Sequence, residues 1–275
     1  MGLWRTKLKY MITSPNIRPA AVAGLFYPQD AIELAALLRR LLAENPSQGP
    51  APKALIAPHA GYLYSGPIAA RAYNALKGLG RAIRRVILLG PAHRVALRGL
   101  ALPAVDYFRT PLGDIPLDRE ANALLEGLPQ VGCSDHAHQL EHSLEVHLPF
   151  LQTLFNEFTL VPMVVGRARP DEVAQTLERL WGGSETLVVI SSDLSHYHPS
   201  EVARQMDEAT AQQIENLEIP IDEHQACGAN PINGLLTLAQ NRNLRVLRLD
   251  LRNSGDTAGI PERVVGYGAW AFYDA

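Results

Sequence analysis

Three histidines stand at equivalent points of the chain: His59 in Ala57-Pro58-His59-Ala60-Gly61, His93 in Leu89-Gly90-Pro91-Ala92-His93, and His196 in Ser191-Ser192-Asp193-Leu194-Ser195-His196. Each follows a short apolar run of the kind that forms a buried strand. In an open α/β sheet the carboxyl ends of parallel strands share one edge, where ligands bind, so the three imidazoles are expected to converge there. A single loop histidine is usually only a hydrogen-bonded side chain; three at matching positions point to metal binding or proton transfer.

Cys227 lies in Ala226-Cys227-Gly228-Ala229-Asn230-Pro231. Here Asn230 is read as the N-cap of a helix and Pro231 as its first residue. A thiol beside a helix N-terminus and near imidazoles is expected to have a lowered pKa, which makes a thiolate fit to bind metal. Cys133 reads instead as a small buried hydrophobe. The stretch from Gln139 to His147 carries two histidines five apart, whereas a zinc-protease HExxH helix needs them four apart, so that motif is absent. A helix from His142 to Phe155 would put His142 and Glu145 on one face, with His142 at its start within reach of a pocket and His147 outside it. His136, His138, His198 and His224 read as solvated surface histidines without a role.

The elements that must position these residues follow from periodicity. Buried-strand runs fall at Ala54 to Ala57, Val86 to Leu89, Leu160 to Val165 and Leu187 to Ile190. Helical spacing appears at Ala31 to Ala43, Ile68 to Leu79, Arg119 to Leu128, Pro170 to Leu180, Glu201 to Leu217 and Pro231 to Asn241. Ile17 to Pro28 reads as an extended entry segment, Asn45 to Pro50 as a loop, and Arg245 to Leu251 and Val264 to Tyr273 as further strands. The alternation predicts an α/β fold: one domain over residues 1–275, a central, largely parallel or mixed sheet with helices on both faces, and an extended or flexible segment at 1–16.

With 47% hydrophobic and 19% charged residues, the 275-residue chain has the composition of a globular protein with a sizeable core. A net charge of -3 gives no electrostatic reason to expect nucleic acid or anionic lipid as a partner. From two cysteines far apart and without a CxxC neither a disulfide framework nor a structural zinc knuckle can be read, and a reducing compartment fits best. No apolar run reaches the ~18 residues that a membrane span needs, and no signal-peptide core opens the chain. A cytoplasmic protein with no membrane association is the resulting expectation.

Taken in order and spacing, Val22-Ala23-Gly24-Leu25-Phe26-Tyr27-Pro28, the segment from Ala57 to Gly66, Leu89-Gly90-Pro91-Ala92-His93, Glu141-His142-Ser143-Leu144-Glu145, the segment from Ser191 to His196, and Cys227-Gly228 resemble the Memo family over nearly the whole chain. The family is similar in fold to the class III extradiol dioxygenases. That resemblance implies His59, His93 and Cys227 as metal ligands, with His142, Asp193 and His196 as catalytic residues lining the pocket and His196 in the place of the dioxygenase acid/base histidine. Iron is the implied metal, with copper or zinc as alternatives. Those dioxygenases bind Fe(II) through two histidines and a carboxylate, so a thiolate here is a departure. The bacterial and archaeal branch is described as protein B of a three-part set, which implies an AMMECR-type protein and a radical-SAM protein as partners.

The leading expectation is a metal-dependent redox protein, of dioxygenase type, acting on an unidentified small-molecule or peptide ligand. A non-enzymatic module that reuses the pocket to bind a peptide or protein is the alternative, since a fold does not carry its activity with it. A zinc hydrolase with a metal-bound water ranks third.

Overall fold

The computed structural model describes residues 15–47, 49–80 and 82–274. The segment 1–16, expected to be extended or flexible, lies outside the described residues as far as residue 14. In chain order the first half comprises β1 (Ile17–Arg18), α1 (Ala31–Glu44), β2 (Ala54–Ala57), α2 (Tyr62–Asn74), β3 (Arg85–Pro91), β4 (Leu100–Leu102), β5 (Tyr107–Thr110), β6 (Gly113–Pro116), α3 (Arg119–Ala123) and β7 (Val131–Cys133). Then come α4 (Asp135–Gln139), α5 (Leu148–Leu154), β8 (Thr159–Val165), α6 (Pro170–Leu180), β9 (Thr186–Ser191), β10 (His196–His198), α7 (Ser200–Glu215), α8 (Ala229–Arg242), β11 (Arg245–Asn253) and β12 (Val264–Tyr273). No helix among the described residues is long and apolar enough to cross a membrane.

The expected mixed α/β architecture is present. A large sheet runs in the order β10-β12-β2-β9-β3-β8-β4-β7, with β11 on β12, and β1, β5 and β6 form a separate small sheet. The four strands read as continuous apolar runs are its centre: β2, β9, β3 and β8 are mutually parallel. Strands buried on both faces need apolar side chains throughout, which is why these segments do not alternate. Leu55, Val86 and Leu88 point to one core with α1, α2 and α5, while Ile56, Ile87 and Leu89 point to a second with α6, α7 and α8. Helices thus cover both faces.

Several boundaries differ from expectation for identifiable reasons. Helix α2 begins at Tyr62 rather than Ile68, because its buried first turns precede Pro67, where the apolar spacing is interrupted. The entry segment is strand only at Ile17–Arg18, and Val22 to Tyr27 is a turn closed by Gly24 N donating to the Tyr27 carbonyl. The helix expected from His142 is replaced by a 3-10 turn at Glu145–His147 followed by α5. Side chains occupy the backbone before it: Arg18 Nη2 donates to the Glu141 carbonyl and Ser191 Oγ to that of Ser143. Helix α8 begins at Ala229 with Gly228 as its cap, so Asn230 and Pro231 lie inside the first turn and not at the positions expected for them. Cys133 is exposed at the end of an edge strand rather than buried. His138, read as a surface histidine, is buried, with Nε2 at 2.8 Å from the Ala101 carbonyl.

Candidate metal centre

Parallel pairing of β2, β9 and β3 brings their carboxyl ends to one edge. His59 and His93 leave that edge with ring centroids 5.2 Å apart. His142 completes the group: it stacks on His93 at 4.6 Å and meets His59 edge-on at 5.4 Å. One ligating atom from each of these three histidines lies within 4.8 Å of the other two. Two nitrogens bound at ~2.1 Å to a tetrahedral ion stand about 3.4 Å apart, so a small inward movement would close the set on a metal.

The hydrogen bonds behind the rings decide which nitrogens face inward. Ser191 Oγ donates to the Ser143 carbonyl at 2.6 Å, so its lone pair must accept from His59 Nδ1 at 2.5 Å. His59 is therefore protonated on Nδ1 and presents Nε2 to the site. His93 is oriented in the same way by Glu141, whose carboxylate accepts from His93 Nδ1 at 2.9 Å and from the His93 amide at 2.6 Å. Burial pushes the Glu141 carboxyl up, but the bonds from His93 outweigh it and hold that pKa at about 2. A carboxylate behind a ligating imidazole fixes its tautomer and raises its basicity.

Burial, followed by the charge of His93, holds His59 well below the usual imidazole range and lowers His142 to about 4. His142 Nδ1 is buried without a hydrogen-bond partner, with Glu141 Oε1 3.4 Å away. Three converging imidazoles, one with an orphaned nitrogen, are a donor set that fits a borderline metal ion. The pocket wall adds Phe26, tilted against His142 at 4.8 Å.

The remaining candidates take distinct places. Cys227 Sγ lies 3.4 Å from His59 Nε2 and accepts from the Asp193 amide at 3.3 Å. Burial and then the Asp193 charge push this thiol up, against the expected lowering, and outweigh the hydrogen bonds from the Asp193 and Gly228 amides. Asp193 is buried with Oδ1 accepting from the His59 amide at 2.8 Å and the Ala60 amide at 3.3 Å, so it holds the turn that carries His59. Burial raises its pKa. His196 Nδ1 donates to the Leu194 carbonyl at 2.7 Å, which leaves Nε2 outside that bond. His147 is fully buried elsewhere, bonded through Nδ1 to Tyr73 Oη at 2.8 Å. Sequence reasoning gave no role to Glu141 or Ser191, although an acidic residue directly before His142 and a serine ending an apolar strand were visible signals.

A cavity of about 760 Å³ opens in front of His93 and Cys227. The family description "Memo-like protein" matches residues 18–271. A "MEMO1 family protein" of Aquifex aeolicus is 36% identical, with 92% of this chain and 97% of that protein aligned. Another, of Aeropyrum pernix, is 37% identical over 92% of this chain and 99% of that one. Among solved structures, an uncharacterized protein from Escherichia coli K12 superposes with a TM-score of 0.47 at 16% identity, covering 78% of this chain and 98% of that one, a likeness too distant to bear on the site. A match that spans both cores and all six candidate residues, at these identities, makes the chain a member of the Memo family.

Proposed function

We propose that the chain is a metal-dependent redox protein whose centre is held by the Nε2 atoms of His59 and His93 together with His142, with Cys227 as the neighbouring donor. The convergence of three imidazoles at one strand edge carries this reading. Iron is the metal that the family resemblance implies, with copper or zinc compatible with the same donors. Iron or copper, when bound, would supply one-electron chemistry and Lewis acidity beside the cavity, and zinc Lewis acidity alone. A positive charge beside His59 would also offset the burial that keeps Cys227 protonated, since thiols ionise next to metals.

The chain's own groups have separable tasks. Ser191 and Glu141 hold the His59 and His93 rings with Nε2 outward. Asp193 fixes the backbone of His59 and Ala60. His196, anchored by the Leu194 carbonyl, keeps Nε2 free to accept and return a proton at the edge of the site. Phe26 shields His142 from water.

Metal analysis after anaerobic purification tests the reading. The native chain is expected to hold iron or copper near one per molecule, His93→Ala to hold almost none, and His142→Ala and Cys227→Ala to lose metal to different extents that rank them as ligands. A folded native chain that binds neither metal sinks the proposal.

A further inference from the structure

The cavity in front of His93 and Cys227 is not electrically neutral. Arg98 and Arg167 both line it, on the same wall system that carries His93 and Cys227. They are directly opposed across a parallel β-bridge, with the Arg167 amide donating to the Leu97 carbonyl and the Gly99 amide to the Arg167 carbonyl, each at 2.9 Å. Opposed residues of a bridge send their side chains to the same side of the sheet. Both arginines are exposed, and neither has an ion-pair partner among the described residues. Like charges placed directly opposite each other cost stability, so nothing in the fold itself favours this pair.

The backbone that sets the pair is unusually close. A Cβ on Gly166 would lie 2.1 Å from the Leu97 carbonyl oxygen, and one on Gly99, at φ +76°, would lie 2.2 Å from that of Gln130. Only glycine permits either approach, so the glycine before Arg167 and the glycine after Arg98 together lock the bridge. Arg94, on the same segment, is near enough to His142 for its charge to disfavour protonation there. The lining of the cavity also includes one acid, Glu223.

We propose that this cavity binds a small organic carboxylate, its anionic end held by Arg98 and Arg167 and its other end directed at the histidine group. The identification rests on the metal-centre reading for which end reacts, and on the arginine pair alone for which end is held. Two guanidinium forks match a planar carboxylate and would exchange their mutual repulsion for charge-assisted hydrogen bonds. A volume of about 760 Å³ lies within the range of small-molecule sites. A sphere of that volume is roughly 11 Å across, room for a ring-sized body between the arginines and His93. With Glu223 offsetting one of the two arginines, the charged side chains of the lining leave a net charge of about +1, which a monoanionic carboxylate balances and a dianionic phosphate exceeds.

Titration of the native, metal-loaded chain with benzoate, benzamide and phenyl phosphate, followed calorimetrically, decides the matter. Benzoate is expected to bind at least ~10-fold more tightly than neutral benzamide and no more weakly than phenyl phosphate, and Arg98→Gln or Arg167→Gln to weaken benzoate ~10-fold or more. Both variants change exposed side chains and relieve the like-charge pair, so their thermal midpoints are expected to equal or slightly exceed that of the native chain, with metal content unchanged. Benzamide binding as well as benzoate, phenyl phosphate binding more tightly, or benzoate binding that ignores both substitutions overturns the proposal. A chain that holds metal yet shows any of those results keeps the metal centre and loses the carboxylate site. A chain without metal that still needs both arginines for benzoate does the reverse.

Discussion

Glu141 and Glu145 are both buried, lie in one five-residue motif, and serve different halves of the molecule. Glu141 turns toward the strand edge, where its two oxygens take the ring and amide of His93. Glu145 turns the other way and accepts four hydrogen bonds: from Arg18 Nη1 at 2.6 Å, the amides of Ala21 and Val22 at 2.8 and 2.9 Å, and Tyr27 Oη at 2.6 Å. Arg18 in turn donates to the carbonyls of His138 and Glu141, both at 2.7 Å. The lesson is that burial and motif membership do not separate a site residue from a fold residue. What separates them is whether the partner has a second polar atom free to face a ligand: His93 does, and the groups around Glu145 do not.

The largest expected effect lies on the Glu145 side. Glu145→Ala removes one partner of a fully buried ion pair and strands Arg18, Tyr27 and two amides, a loss of about 3–5 kcal/mol. Urea midpoints measure it, with Glu145→Gln as a milder variant expected to fall between. Metal bound per folded molecule is expected to stay unchanged in both. A Glu145 variant that folds normally but loses metal would merge the two roles and break the comparison.

Acid reaches the same half of the molecule through His138, whose carbonyl is one of Arg18's acceptors. Burial lowers this imidazole from 6.5 to about 4, so the unfolded chain takes up a proton in that window which the folded chain refuses. The stabilising contribution is complete above about pH 6.5, declines as pH falls, and is gone by about pH 4, a change of up to about 3 kcal/mol. Denaturation midpoints between pH 7 and pH 4 are expected to show this slope in the native chain and a shallower one in His138→Gln; equal slopes would remove His138 from the account.

The smallest free-energy change is expected on the Glu141 side, where it appears as function rather than stability. Glu141→Gln keeps the shape but weakens the acceptor behind His93, and metal affinity is expected to fall 10- to 100-fold, the usual cost of losing such a partner. Competition with a chromophoric chelator reads this directly. Unchanged affinity together with a large stability loss would make Glu141 a second Glu145.

The central strands, helices α1 and α6, strand β12 and the convergence of His59 with His93 were all legible in the sequence, because buried strands and amphipathic helices write their periodicity locally. The helix expected from His142 was not. Its apolar spacing is real, but Arg18 and Ser191 claim the carbonyls of Glu141 and Ser143 from distant parts of the chain. That competition moves His142 off a helix face and into contact with His93 and Phe26. The Cys227 environment was misjudged for a related reason: the capping pattern of Asn230 and Pro231 is local, whereas the burial that raises the thiol comes from Asp193 and the strand edge.

By itself, then, the sequence determined the class of fold, the strands that end in histidine and the family to which the chain belongs. Tertiary structure alone decided the tautomers of His59 and His93, the inclusion of His142 in their group, the division of labour between Glu141 and Glu145, and the opposition of Arg98 to Arg167. The physical reason is range. Periodicity and turn chemistry are properties of neighbours along the chain, while a ring's free nitrogen or a guanidinium's missing partner depends on groups tens of residues away that only the packed sheet brings within a hydrogen bond.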